Sequence, residues 1–494
     1  MNSLIYILPM ISVLAGAFVL MLLGAKSITK TKTFNLITVG FLIVAFTLEY
    51  STLFLEREGY LYENIFAHVF IIDKFATIFN LMFTSGAILT LLINNDYFKS
   101  RHYFTGEYFA LILFSIFGMM MLAHAHELLT AFIALETASL SVYALVGYHQ
   151  NKKVSSEAML KYMILGSLTG AFFILGTALI YGATGSTSFD IIALYVENHQ
   201  LKDMTLLVVG ATLLMVTILF KIGAVPFHAW VVDVYHGAPY PITMFMASTF
   251  KIAIFAIALR LYIIDFSSIN YFWTEMLQVI TILTLIGGSL IAINQKVVKR
   301  MLAGSSIVHS GYLLIGISSI GIGSDLAAPA IMFYLIAYFL SSAGSFGILS
   351  FIASQNKQEM TYEDFKGFAH RRPYLALIMS VFMLSLAGFP STIGFLGKFY
   401  IFTSAIDSGQ ILLAGLGILT AFISVYYYFK LIAMMYFYPS DKVVQKFSID
   451  ISTIMIAFIA LLIIWGGIGT SLLSFLPGAN GFIEIAKEAI VSLK

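Results

Sequence analysis

The 494-residue chain contains no cysteine. That removes disulfides, thiolate metal sites and Cys-ligated iron–sulfur clusters together. Charge is scarce as well. Asp, Glu, Lys and Arg make up 11% of the residues, less than half of the roughly 25% typical of a soluble domain. Neither a Walker-type loop nor a G-x-G-x-x-G turn occurs in a strand–helix setting, which disfavours ATP or dinucleotide chemistry on this chain. No run alternates apolar and polar residues as a half-buried strand does. A net charge of +2 gives no electrostatic footprint for nucleic acid. No cofactor and no metal are expected on this chain, so redox chemistry tied to it belongs to other polypeptides.

What the chain has in excess is apolar length. Hydrophobic residues are 60% of the total and the mean hydropathy is +0.93. Stretches of about 20 apolar residues, each able to cross ~30 Å of hydrocarbon, recur from end to end. Fourteen spans are expected, near 4–24, 34–54, 70–93, 108–125, 127–148, 159–182, 204–232, 240–263, 274–293, 301–321, 327–353, 375–404, 410–437 and 451–476. The first lacks a basic n-region and a small-residue cleavage site, and reads as a retained helix. The expected fold is an all-α polytopic membrane protein resting in a lipid bilayer.

Loop charge orients it. The odd-numbered loops carry sixteen basic residues: Lys26, Lys30, Lys32, Lys99, Arg101, Lys152, Lys153, Lys296, Lys299, Arg300, Lys357, Lys366, Arg371, Arg372, Lys442 and Lys446. The even-numbered loops carry three, Arg57, Lys202 and, at a helix end, Arg260. By the positive-inside rule the odd loops face the cytoplasm and both termini face outward.

Two spans contain proline inside a long apolar run: Pro226 in span 7 (LFKIGAVPFHAWVV) and Pro390 in span 12 (LSLAGFPSTIGFLGKFY). Proline removes a backbone hydrogen bond and clashes with the preceding turn. In hydrocarbon the freed carbonyls are tolerated only where protein or trapped water satisfies them. The breaks lie five spans apart, an odd offset, so spans 4–8 and 9–13 are expected as two inverted five-helix repeats, each with one discontinuous helix. The corresponding division is 1–107 for the N-terminal helices, 108–263 and 264–437 for the repeats, and 438–494 for the last helix and tail.

Four ionisable residues fall deep within spans: Glu136, Lys221, Lys251 and Lys398. A charge at the bilayer centre costs roughly 2.5–3.5 kcal/mol on insertion scales, so four of them in a merely embedded protein are unexpected. Glu136, in span 5, either stays protonated against Ser139 or a neighbouring helix, or pairs with Lys221. A nearby carboxylate raises a buried lysine's proton affinity and burial lowers it. A pair of variable separation is therefore a proton switch, although an inert structural bridge would also be tolerated. Lys251, in span 8, has no acid in its own helix and lies too deep to reach the surface. Ser248 and Thr249 are its polar neighbours. Lys398 follows the second break in the outer half of span 12, where it could also snorkel. His228 and His309 are secondary proton-path candidates, since histidine titrates near neutrality, or plain interhelical hydrogen bonds. Asp73, Lys74, His126, Glu127, Glu49 and Lys430 sit near span ends and read as structural.

The segments LLTAFIALETASLSVYALVGY, FKIGAVPFHAWVVDVYHGAPYPITMFMASTFKIAIFAI, NQKVVKRMLAGSSIVHSGYLLIG and SLAGFPSTIGFLGKFYIF resemble the antiporter-like (Mrp-type) membrane subunits of respiratory complex I, the bacterial NADH–quinone oxidoreductase. The resemblance covers about residues 65–435. DVYHGAP and the GFLGKF ending favour one branch of that family; the lysine at 398 is shared by two branches, a third typically having glutamate there. The branch with a long lateral helix is disfavoured, because the chain ends about 18 residues after span 14. The resemblance implies a non-redox subunit of a proton-translocating NADH–quinone oxidoreductase, a translocase in which electron transfer to quinone elsewhere drives outward proton pumping. It implies Glu136 and Lys221 as the coupling pair, Lys251 as central proton carrier and Lys398 as outlet carrier. NADH, FMN, iron–sulfur clusters and quinone would belong to partner subunits. Those partners are the A, H, J, K, L and M types and, through them, the peripheral redox arm. The location implied is the bacterial inner membrane. The alternative is a subunit of a multi-subunit cation/proton antiporter, and a third reading is an inert scaffold.

Overall fold

The computed structural model describes residues 6–25, 30–56, 63–65, 69–101, 103–149, 152–199, 204–265, 270–355, 360–439, 450–468 and 478–493. Of the loop charges used for orientation, Lys26, Arg57, Lys202, Lys357, Lys442 and Lys446 lie outside these residues, as does 469–476 at the end of span 14.

The fold is all-α and polytopic. Among the described residues thirteen helices are long and apolar enough to cross a membrane. The fourteenth crossing is span 12, split into Pro373–Ala387 and Ile393–Asp407, 15 residues each. Span 7 is likewise split, into Thr205–Ile222 and Val231–Gly237. Both expected breaks are present, and both end their first half in the same way. Gly223 and Gly388 take the left-handed conformation at φ +74° and +83°. The N–H of the next residue (Ala224, Phe389) then reaches the carbonyl five residues back (Leu219, Leu384), at 2.9 Å in each case. This Schellman closure needs a residue without Cβ strain, and proline two or three residues on prevents the helix from resuming at once.

Spans 8 and 10 are buried along their whole length, and span 11 nearly so. They form the centre of the bundle. The outer spans turn large apolar side chains outward, such as Ile164 and Leu168 on span 6 and Leu412 and Phe422 on span 13. The centre is therefore more polar than the rim, as a protein solvated by hydrocarbon allows. Small residues let backbones meet. A Cβ on Gly210 of span 7 would stand 2.7 Å from the Gly176 carbonyl of span 6, and one on Gly118 of span 4 would stand 2.5 Å from the Ala138 nitrogen of span 5.

Three features depart from the sequence reading. A two-stranded antiparallel ribbon pairs Glu63–Ile65 with Phe70–Ile72; strands of three residues are too short for alternation to register. Span 8 is interrupted by π-helical turns at Met246–Phe250 and Leu261–Asp265, which its apolar pattern does not encode. The tail folds into a helix, Ala479–Val491, tied to span 3 by Lys74–Glu488 at 3.5 Å and by the Phe75 N–H on the Ser492 hydroxyl at 3.1 Å.

Filling the span 6–7 contact tests this packing. Gly210→Val is expected to destabilise the chain by about 1–3 kcal/mol, the usual cost of overpacking. A lowered unfolding temperature in detergent would register it, and an unchanged temperature would contradict the contact.

Candidate functional site

Span 5 presents Glu136, Ser139 and Tyr143 at i, i+3 and i+7, one face of a helix. Lys221, in the last turn before the span 7 break, points into that face. Its ammonium donates to Ser139 Oγ at 2.7 Å and to Tyr143 OH at 2.8 Å. The nearest Glu136 oxygen is 3.9 Å away, close enough for a charge pair and too far for a direct hydrogen bond. Ser139 thus holds the lysine and not, as one sequence reading had it, the glutamate. The lysine side chain is fully buried, whereas that of Glu136 is 18% exposed. Two glycines of span 6 shape the seat. A Cβ on Gly170 would sit 2.9 Å from Glu136 Oε1, and one on Gly166 would strike the Tyr143 hydroxyl at 2.0 Å.

Lys251 follows the first π turn of span 8. Its partners come from span 10 and not from Ser248 or Thr249. The ammonium donates to the Ser306 carbonyl at 2.8 Å, to Ser306 Oγ at 2.6 Å and to Ser310 Oγ at 2.9 Å. Ser248 instead donates to its own helix, at Met244 O, 2.6 Å away. All three ammonium hydrogens are therefore satisfied without a carboxylate. Ser310 also donates at 2.7 Å to Ile222 O, a carbonyl exposed by the span 7 break. That contact links the Lys251 shell to the residue after Lys221. Phe220 O, in the same last turn, accepts both from the Gly223 N–H and from Trp230 Nε1, at 3.0 Å each.

Toward span 12 the row continues through aromatic hydroxyls. Tyr338 donates to Ser306 Oγ at 2.8 Å, and its ring lies 4.8 Å from that of His309. The His309 nitrogens meet Tyr334 OH at 2.5 Å and Tyr428 OH at 3.1 Å. Lys398 is 4% exposed and does not snorkel. It turns back onto the break and donates to Leu386 O at 2.8 Å and Ala387 O at 2.9 Å. Its ammonium also lies 5.0 Å from the centre of the Tyr312 ring. The structure thus joins Lys251 to His309 through Ser306 and Tyr338, reaches the residue after Lys221 through the Ile222 carbonyl, and brings Lys398 and His309 to the same Tyr312 ring. His228 lies apart, half-exposed, with Nδ1 3.2 Å from its own Pro226 carbonyl.

Sequence reasoning missed a second polar layer, where the end of span 2, the start of span 3 and the ends of spans 4 and 8 meet. Arg260, counted there among the loop charges, is buried and forms a two-pronged pair with Asp73, at 2.9 and 3.2 Å. Its guanidinium also reaches Ala123 O at 2.7 Å. Asp73 in turn caps span 3 by accepting from the Ala76 N–H at 2.7 Å. Beside it, Asn80 donates to Glu49 at 2.7 Å and contacts His124 Nε2 at 2.9 Å. The available signal was an N-cap aspartate before an apolar run. Its arginine partner is 187 residues away in sequence.

The profile of a family described as NADH:quinone oxidoreductase/Mrp antiporter, TM, matches residues 125–424. That segment holds both breaks together with Glu136, Lys221, Lys251 and Lys398. The chain belongs to this family of antiporter-like membrane subunits. It is 38% identical over 425 residues to the NADH-quinone oxidoreductase subunit N of Trichlorobacter lovleyi, covering 86% of this chain and 85% of that protein. It is 40% identical over 374 residues to a subunit N 1 of Sorangium cellulosum, 74% of each. Among solved structures, a chain of respiratory complex I from Thermus thermophilus with bound aureothin superposes with a TM-score of 0.77 and 29% identity, over 93% of this chain and 96% of that one. A chain of the Mrp complex from Dietzia shares the fold at a TM-score of 0.85 with 18% identity, over 99% and 97%.

The Asp73–Arg260 pair provides a structural test. Asp73→Ala leaves the guanidinium buried without its carboxylate, and should cost about 3–5 kcal/mol. Replacing both, with Arg260→Leu, should recover most of that. Thermal unfolding of the purified chain distinguishes the two cases; equal stability of both variants would contradict the pairing.

Proposed function

We propose that the chain is the N-type proton-translocating membrane subunit of a respiratory NADH–quinone oxidoreductase. The observation that carries this reading is the row itself. Three lysines are buried at the middle of a fold of this family, each held by two or three hydrogen bonds, and two of them flank helix breaks. Spans 4–8 and 9–13 are read as inverted repeats, supported by the identical closure at Gly223 and Gly388. The basic loops lie on the cytoplasmic side of a bacterial inner membrane, and both termini lie outside. NADH, FMN, iron–sulfur clusters and quinone belong to the partner subunits.

In this scheme, redox-driven changes in neighbouring subunits move Glu136 relative to Lys221. At 3.9 Å the carboxylate holds the lysine protonated; as it withdraws, the ammonium loses its counter-charge and releases a proton. The hydroxyls of Ser139 and Tyr143 can reorient to accept from an ammonium or donate to an amine. The proton passes to Lys251 through the Ser310 side of its shell. Charge on Lys251 then lowers the proton affinity of Lys398. At an effective dielectric near 20, two charges ~8 Å apart interact by about 2 kcal/mol, roughly 1.5 pKa units, which is sufficient to pass the signal. A proton leaves outward, and Lys221 reloads from the cytoplasm.

Two variants of the assembled complex test this. Lys251→Ala removes the carrier, and coupled turnover through this subunit should fall on the order of a hundredfold, the scale of a lost proton-transfer group. Lys251→Arg keeps the charge but does not release its proton at working pH, so it should also fail. The ratio of protons moved to NADH oxidised, measured in proteoliposomes, is the readout. Normal pumping by the arginine variant would leave Lys251 as a fixed charge and sink the carrier role.

A further inference from the structure

A cavity of about 320 Å³ opens where the basic-loop ends of seven spans converge. Arg101, His149, Lys152, Lys153, His236 and Lys299 line it, with the aromatic side chains of Tyr97, Tyr103 and Tyr240 and no Asp or Glu among the lining residues. Lys152 and Lys153 are exposed. Lys299, 3% exposed, is fixed by the Ala238 carbonyl at 2.7 Å and by the Tyr240 ring, 4.2 Å from its centre. Arg101 donates one Nη2 hydrogen to Ala353 O at 3.1 Å, while its Nε is buried without a partner. Spans 6 and 10 both begin at this cavity, at Lys153 and Val298, and neither has a side-chain cap on its first turn. Their helix dipoles add positive potential to that of the four cations. The proton row uses none of these residues.

We infer that this cavity binds a phosphate-bearing anion, either the phosphodiester headgroup of an anionic phospholipid or free inorganic phosphate. Arg101, Lys152, Lys153 and Lys299 gather positive charge of one sign around one small space, which favours an anion there. Arginine and lysine with two helix N-termini form the donor set that phosphate oxygens take. Basic pockets between membrane helices on the cytoplasmic side suit anionic headgroups. A bound phosphate would join the ends of spans 3, 5, 6, 7, 8, 10 and 11, bracing the start of the span that carries Lys251.

The purified full-length chain, stripped of lipid in detergent, can be titrated with phosphatidylglycerol, phosphatidylcholine or inorganic phosphate. Native mass spectrometry reads retention, and thermal unfolding reads stabilisation. Phosphatidylglycerol should be retained over phosphatidylcholine. Lys152→Gln with Lys153→Gln, both exposed and harmless to folding, should weaken it about fivefold per charge removed, and Arg101→Gln should weaken it further. Lys32→Gln, exposed on span 2 outside the cavity, should change nothing. Stabilisation by inorganic phosphate with the same dependence on these residues, and no preference between lipids, supports the anion site with free phosphate as its ligand. Equal retention of both lipids without a phosphate effect overturns the proposal, as does a phosphatidylglycerol preference that survives the triple substitution.

Discussion

An ammonium in hydrocarbon must have acceptors for its hydrogens, and the architecture of this bundle follows from supplying them. An intact helix offers few, because its carbonyls are already taken by its own N–H groups. Breaking spans 7 and 12 frees carbonyls at the depth where the lysines lie. Leu386 O and Ala387 O hold Lys398 directly. Ile222 O acts at one remove, orienting Ser310, which in turn accepts from Lys251. The remaining acceptors are hydroxyls, and these require buried helices rich in serine and tyrosine. Spans 10 and 11 meet that need and occupy the centre for the same reason.

The parts of this site legible in the sequence were those that violate local rules. A lysine in an apolar run and a proline in a membrane helix are each costly, so each stands out without a partner in view. Glu136, Lys221, Lys251, Lys398, Pro226 and Pro390 were found this way. Serine and tyrosine in a membrane helix cost little, and they gave no comparable signal. Tyr143, Ser306, Ser310, Tyr334 and Tyr428 therefore emerged only when the helices were packed. Arg260 and Asp73 were hidden for the opposite reason. A charge at a span end is unremarkable at an interface, and only tertiary structure shows that these ends are buried. The π turn before Lys251, Met246–Phe250, has no sequence signature, because Ser248 and Thr249 within it are no more unusual in a membrane helix than the serines elsewhere.

The two lysines at the breaks look equivalent along the chain and are chemically different. Lys398 is held by two backbone carbonyls, which only accept. When that lysine loses its proton, the lone pair of the amine gains no donor from them. Lys221 is held by two hydroxyls, which accept from an ammonium and, after rotation, donate to an amine. Its shell therefore offers partners to both protonation states, and Glu136 is the charge that stands nearest to it. Lys251 is intermediate, with one carbonyl and two hydroxyls. The carbonyl share of the shell thus rises from Lys221 through Lys251 to Lys398. Hydroxyl partners make the first site responsive to an external charge. Carbonyl partners at the last one suit the ammonium alone, so in the proposed scheme the difference in ligands distinguishes the two ends of the row, which the lysines alone do not.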